Sequence, residues 1–134
     1  MKLLVDIGNS RVKWVRDGPR WEMSVADTDE FDPGAIWGSL PAPPAVLVAN
    51  VAGDDVQERI ARWCLDSWDV AANFIESRAE QLGVVNEYCD VGQLGCDLWA
   101  ALLGARALTA GAAAVIDCGT AVTADALTGD GRFV

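Results

Sequence analysis

With 134 residues and 51% hydrophobic content, the chain holds enough for about one domain with a real core and not for two complete lobes. Its formal net charge of -10 excludes a nucleic-acid surface, which needs clustered Lys and Arg. His is absent, so Ser-His-Asp and Cys-His catalysis are excluded and any general base is a carboxylate or a less usual group.

The chain opens with Leu3-Leu4-Val5-Asp6-Ile7-Gly8-Asn9-Ser10-Arg11-Val12-Lys13-Trp14, in which an apolar run, a tight polar loop and a second alternating run predict a strand–loop–strand hairpin. Such a hairpin suits a nucleotide phosphate. Gly8 lets the backbone approach a ligand, Asn9 and Ser10 bring donors, and Asp6 can hold a cation that shields phosphate charge. The same pattern also serves hairpins that hold no ligand. Asp17-Gly18 then turns the chain into the alternating Trp21, Met23 and Val25, so residues 2 to 25 read as a three-stranded meander.

Asp27 to Pro44 is acidic and then rich in Pro and Gly, with Asp32-Pro33 placed to cap a short helix reaching about Leu40. Ala45 to Val51 has the length of a strand and the continuous apolarity of one covered on both faces. Gly53-Asp54-Asp55 starts a helix with Val56, Ile60, Trp63 and Cys64 on one side, and Val70 to Ile75 predicts the next strand. This β-α-β order favours parallel pairing with a right-handed crossover, giving a mixed α/β lobe.

Gln93-Leu94-Gly95-Cys96-Asp97 leads into a second helical pattern, Leu98, Ala101, Leu102, Ala105 and Leu108, so that Asp97 stands at the helix start. Two readings of Asp97 are open. It is an N-cap, or it is a carboxylate beside the positive helix end that receives a proton from a substrate hydroxyl. Tyr88 fits either a core aromatic or a pocket wall. The six tryptophans read as core and rim packing, not as a base-stacking platform.

Near the far end, Ala114-Val115-Ile116-Asp117-Cys118-Gly119-Thr120-Ala121-Val122-Thr123-Ala124-Asp125 repeats the opening pattern. Asp6, Gly8 and Asn9 match Asp117, Gly119 and Thr120 in order, each trio between two apolar strands. Two such hairpins suggest two lobes facing each other across one nucleotide. Cys64, Cys89, Cys96 and Cys118 form no C-x-x-C pair, which points to buried thiols in a reducing cytosol in place of structural zinc. No secretory signal and no apolar run of membrane-spanning length is read, because Asp6 cuts the first run short.

Asp6 to Trp14, Val85-Asn86-Glu87-Tyr88 through Asp97, and Ile116 to Asp125 together resemble the type III pantothenate kinases, members of the actin-like ATPase superfamily with its ribonuclease H-like lobes. The resemblance implies ATP-dependent phosphorylation of pantothenate, the first step toward coenzyme A, by a cytoplasmic homodimer that uses Mg²⁺ and a monovalent cation, K⁺ or NH4⁺, with neither nucleic acid nor membrane as partner. Carried over by position, Asp6, Ile7, Gly8, Asn9, Ser10, Arg11, Val12 and Lys13 form the first phosphate loop, and Thr120 contacts ATP from the second. Asp117 becomes the monovalent-cation ligand and Asp97 the proton acceptor, with Tyr88, Gly95, Cys96, Asp97 and Leu98 lining the pantothenate pocket.

Two residues depart from the family pattern. Leu98 stands where Arg is usual, which removes a guanidinium expected to grip the pantothenate carboxylate, and Val91 replaces a Pro three residues after Tyr88. The implied organisation is a first actin-like lobe over residues 1–110 and the opening strands of a second over 111–134, so that the chain reads as the amino-terminal part of a longer protein. Two alternatives follow from Leu98 and the length: a non-catalytic nucleotide-binding regulator, or a kinase for a different hydroxyl substrate.

Overall fold

The computed structural model describes all residues from Met1 to Val134, which divide into two compact units, Met1–Ile75 and Glu76–Val134. The division falls at a different place from the sequence-based one at 110/111. In chain order the first unit holds β1 (Leu3–Ile7), β2 (Arg11–Arg16), β3 (Ser24–Asp27), α1 (Pro33–Trp37), β4 (Val46–Asn50), α2 (Asp54–Trp68) and β5 (Ala72–Phe74). The second holds β6 (Glu80–Gln81), β7 (Val84–Asn86), a 3-10 turn (Val91–Gln93), α3 (Cys96–Leu108), β8 (Ala113–Cys118), β9 (Val122–Leu127) and β10 (Arg132–Phe133). No helix is long and apolar enough to cross a membrane.

The first unit is one five-stranded sheet in the order β3-β2-β1-β4-β5. The β3-β2-β1 half is antiparallel, as a meander requires, and β1, β4 and β5 run parallel, joined through α1 and α2. The meander is shorter than expected at its third strand. Trp21 and Met23 are exposed, and pairing begins only at Ser24, opposite Trp14.

Leu3, Val5 and Ile7 alternate inward on β1 and meet Val46 and Val48 of β4, with Trp37 of α1 and Ile60 and Cys64 of α2 in the same cluster. On the other face Leu4 and Leu47 are only half-buried, so β4 is fully covered on one side and partly on the other. Asp32 caps α1, its carboxylate accepting from the Gly34 amide at 3.0 Å with Pro33 in the first turn, and the helix ends at Trp37, short of Leu40. Asp54 and Asp55 complement the start of α2, and Asp69 closes it in the left-handed region with φ 55°.

Trp37 anchors an aromatic cluster. It lies 5.0 Å from Phe31 and 6.0 Å from Trp63, and Trp63 meets Trp68 edge-on at 4.6 Å.

The second unit is another five-stranded sheet, β6-β7-β10-β9-β8, in which only the β7–β10 pair is parallel. Gly131 ends the turn after β9 with φ +90°, and its carbonyl accepts from Val85 at 2.8 Å. The α3 helix buries Trp99 and Leu102, and the Trp99 indole donates to Gln81 at 3.1 Å. Leu108, expected on the apolar side, is 90% exposed in the last turn. The burying side of α3 is therefore set by Trp99 and Leu102, with Leu108 left on the solvent side of the last turn.

Candidate functional site

Both sequence-predicted hairpins form. In the first, Asp6 lies directly opposite Lys13, and the Lys13 ammonium reaches the Asp6 carboxylate at 4.0 Å. In the second, Asp117 lies directly opposite Thr123. The second loop is one residue shorter, since Ile7 pairs with Val12 whereas Cys118 pairs with Val122. Each loop is closed by its glycine amide, from Gly8 to the Arg11 carbonyl at 2.9 Å and from Gly119 to the Ala121 carbonyl at 3.0 Å. A Cβ on Gly8 would stand 3.3 Å from that Arg11 oxygen, so a side chain there would crowd the hairpin's own backbone.

The phosphate-loop candidates divide by burial. Ile7 and Val12 are wholly buried, so only their backbone faces anything but core. Asn9, Ser10 and Arg11 are exposed, and the Asp6 side chain is 49% exposed. Beside the loop lies a cleft of about 640 Å³ lined by Asn9, Thr28, Asp29, Asp55, Val56 and Arg59 among others. Two carboxylates outnumber its single guanidinium. The cleft is polar without being an anion site in its own right.

The remaining candidates belong to the second unit. Asp97 is not the helix cap: Gly95 holds that position without a side-chain cap, and Asp97 sits in the first turn, its carboxylate accepting from the Leu98 amide at 2.8 Å. It satisfies one of the donors that a helix start leaves over. Gly95 accepts from Trp99 at 3.0 Å, and Cys96 and Leu98 are half-buried. Tyr88 is 42% exposed with its ring 5.1 Å from that of Phe133, so it is a rim aromatic, neither core nor free.

Asn86 holds the approach to Tyr88. It is 6% exposed, its side-chain oxygen accepts from the Tyr88 amide at 3.1 Å, and its side-chain amide donates to the Val91 carbonyl at 3.4 Å. The strand-end position of a polar residue two before Tyr88 was the available signal.

On β8 and β9, Val115 and Asp117 share a half-buried face with Thr123 and Asp125, while Ile116, Cys118 and Val122 point the other way and are exposed. The Thr123 hydroxyl and one Asp125 oxygen are buried without a hydrogen-bond partner. Those orphaned oxygens lie on the same face as Asp117 and fit a small cation, which takes carboxylate and hydroxyl oxygens as ligands. No group of three or more Cys, Asp or Glu side chains converges as a ready metal cage. A divalent ion would lean on Asp6 and on substrate phosphates, the usual manner of Mg²⁺.

Cysteine placement differs from the expectation of buried thiols. Only Cys64 is buried, whereas Cys89 and Cys118 are exposed, one in a loop and the other on the outward side of β8. Burial pushes the Cys64 thiol up to about 11.

The family model for type III pantothenate kinases matches residues 2–134. The chain belongs to the type III pantothenate kinase family. Type III pantothenate kinases of Burkholderia ambifaria and Nitrosomonas eutropha are 42% and 38% identical to it, each alignment covering 98% of this chain and 52% of the relative. The one from Nitrosococcus oceani is 35% identical over all of this chain and 54% of its own length. The chain thus spans about half the length of the curated relatives it matches. Within this family the mixed α/β architecture and the two acid-Gly hairpins are the structural features the chain contributes.

Proposed function

We propose that the chain serves ATP-dependent phosphorylation of pantothenate to 4'-phosphopantothenate, the entry to coenzyme A synthesis, in the cytoplasm. The observation that carries this reading is the pair of matching hairpins, Asp6 to Lys13 and Asp117 to Thr123, in a chain of pantothenate kinase family. In actin-like terms residues 1–110 form the first lobe and 111–134 open the second, within a homodimer.

Phosphoryl transfer asks mainly for positioning and charge neutralisation. Gly8 through Lys13 place backbone and side-chain donors at the ATP phosphates, and Thr120 adds a hydroxyl. Asp6 would hold Mg²⁺, and Asp117 would hold K⁺ or NH4⁺, with the orphaned oxygens of Thr123 and Asp125 on the same face. Bound cations supply screening of phosphate charge. Asp97 accepts the proton of the pantothenate hydroxyl as its oxygen bonds to the γ-phosphorus and the bond to the β-phosphate oxygen breaks, releasing ADP. Tyr88, Gly95, Cys96 and Leu98 line the pantothenate end.

Leu98 supports a second reading, a kinase whose hydroxyl substrate has an uncharged far end, because a leucine offers no charge-assisted grip on a carboxylate. The deciding experiment is ATP consumption by the purified chain with Mg²⁺, K⁺ and pantothenate, run beside Asp97→Asn. Pantothenate-dependent turnover that falls by about 100-fold or more in the variant is expected for a positioned base. Turnover that prefers a neutral amide analogue selects the second reading, and turnover unchanged in Asp97→Asn removes Asp97 from the chemistry.

A further inference from the structure

Thr28, just past β3, is one of two buried polar residues in the chain, at 5% exposed. Its hydroxyl donates to the Gly8 carbonyl at 2.8 Å. Its backbone amide donates to the Ser10 carbonyl at 3.0 Å. A single residue, 20 positions away along the chain, therefore holds two carbonyls of the loop from outside.

The hydroxyl bond has a directional consequence. All peptides are trans, and in a trans peptide the C=O and the following N–H point in opposite directions. Fixing the Gly8 carbonyl toward Thr28 fixes the Asn9 N–H away from it. Losing the hydroxyl would remove this hold on the Gly8 carbonyl, in a turn whose Asn9 and Ser10 are exposed.

We propose that Thr28 is a positioning residue for the phosphate loop: through its two hydrogen bonds it holds the Gly8–Ser10 backbone so that the Asn9 N–H is presented to a phosphate oxygen. This rests on the reading of Gly8 to Lys13 as a phosphate loop. The role belongs to Thr28 and not to its neighbours, since Asp27 is taken up in the β2–β3 pairing and Asp29 would bring a negative charge.

The test compares Thr28→Val, which keeps the shape and removes the donor, with Thr28→Ser, which restores it, and with Asp6→Asn as a probe of the loop itself. MgATP and pantothenate affinities are measured by calorimetry on the 134-residue chain, with amide hydrogen exchange and thermal melts on each variant. Thr28→Val is expected to weaken MgATP by about tenfold, the worth of one buried hydrogen bond, and to speed exchange at Asn9 and Ser10 while pantothenate affinity stays put. Thr28→Ser should return MgATP affinity to within about threefold of the parent. Asp6→Asn weakening MgATP while Thr28→Val does not would overturn the role of Thr28 alone. MgATP bound equally by all variants, or not bound by the parent, would overturn the loop reading and this proposal with it. Equal losses for MgATP and pantothenate in Thr28→Val would mark a general structural defect and also overturn it.

Discussion

The thiol of Cys64 shows what burial alone does to a reactive group. It sits among Ile60, Val46 and Val48 with no measurable exposure, and desolvation disfavours the thiolate. In the unfolded chain the thiol returns to its ordinary value of 9.0. Between that value and about 11 the folded protein holds a proton that the unfolded one has lost, so stability falls as pH rises through this window and is fully present below it. The loss amounts to roughly 2–3 kcal/mol. Urea unfolding at pH 8 and pH 11 should show this extra loss in the parent and not in Cys64→Ala. With a thiol reagent at pH 8, Cys89 and Cys118 should react in the native protein, and Cys64 only after unfolding. The sequence identified Cys64 as a core residue through its helical spacing from Ile60, whereas for Cys118 burial was only the general expectation for a free thiol, in an apolar run. In a strand that run alternates, and Cys118 falls on the outward side with Ile116.

At the scale of elements, legibility followed the range of the interaction. Both acid-Gly hairpins, the Asp32 cap and α2 are local, written in contiguous residues, and all could be read. The β6–β7 hairpin was not read as one. Its two-residue loop is Leu82-Gly83, with φ of 49° and 80°, and leucine is a poor resident of the left-handed region, so the usual Asn-Gly or Asp-Gly signal is missing. The parallel β7–β10 pair joins residues more than 40 positions apart and leaves no local mark.

That pair depends on the backbone at Gly131. A Cβ there would lie 2.0 Å from the Gly83 carbonyl oxygen, and its φ of +90° already disfavours any side chain. Gly131→Ala should destabilise the second unit by more than about 2 kcal/mol, with amide exchange at Val85 and Phe133 accelerating most. Gly129→Ala is the control, since its Cβ would meet Ala112 at an ordinary 3.7 Å. Comparable losses in both variants would mean that the turn as a whole, and not the close approach to Gly83, sets the stability.

For the whole molecule the governing quantity is the net charge of -10, which bears on the proposed binding of a ligand that is itself strongly anionic. Under the proposed ATP-binding role, long-range electrostatics would repel the nucleotide, and the loop would have little to offset that: Arg11 is exposed, and Lys13 shares its charge with Asp6 at 4.0 Å. The acidic balance was plain in the composition, but its bearing on nucleotide binding emerged only once Lys13 was found facing Asp6. On the proposed reading, a divalent ion on Asp6 would convert that carboxylate from a repulsive group into a bridge, so nucleotide affinity should depend on the cation more steeply than in a basic phosphate-binding protein. Calorimetry at low ionic strength should find ATP bound at least about tenfold more weakly after chelation of Mg²⁺, and Asp6→Asn should lose most of the difference between the two conditions. Added salt screens the repulsion and should narrow the gap for Mg²⁺-free ATP while leaving MgATP less affected. Equal affinity with and without Mg²⁺ would mean that backbone donors alone overcome the charge, and Asp6 would then be released from its role beside the phosphates.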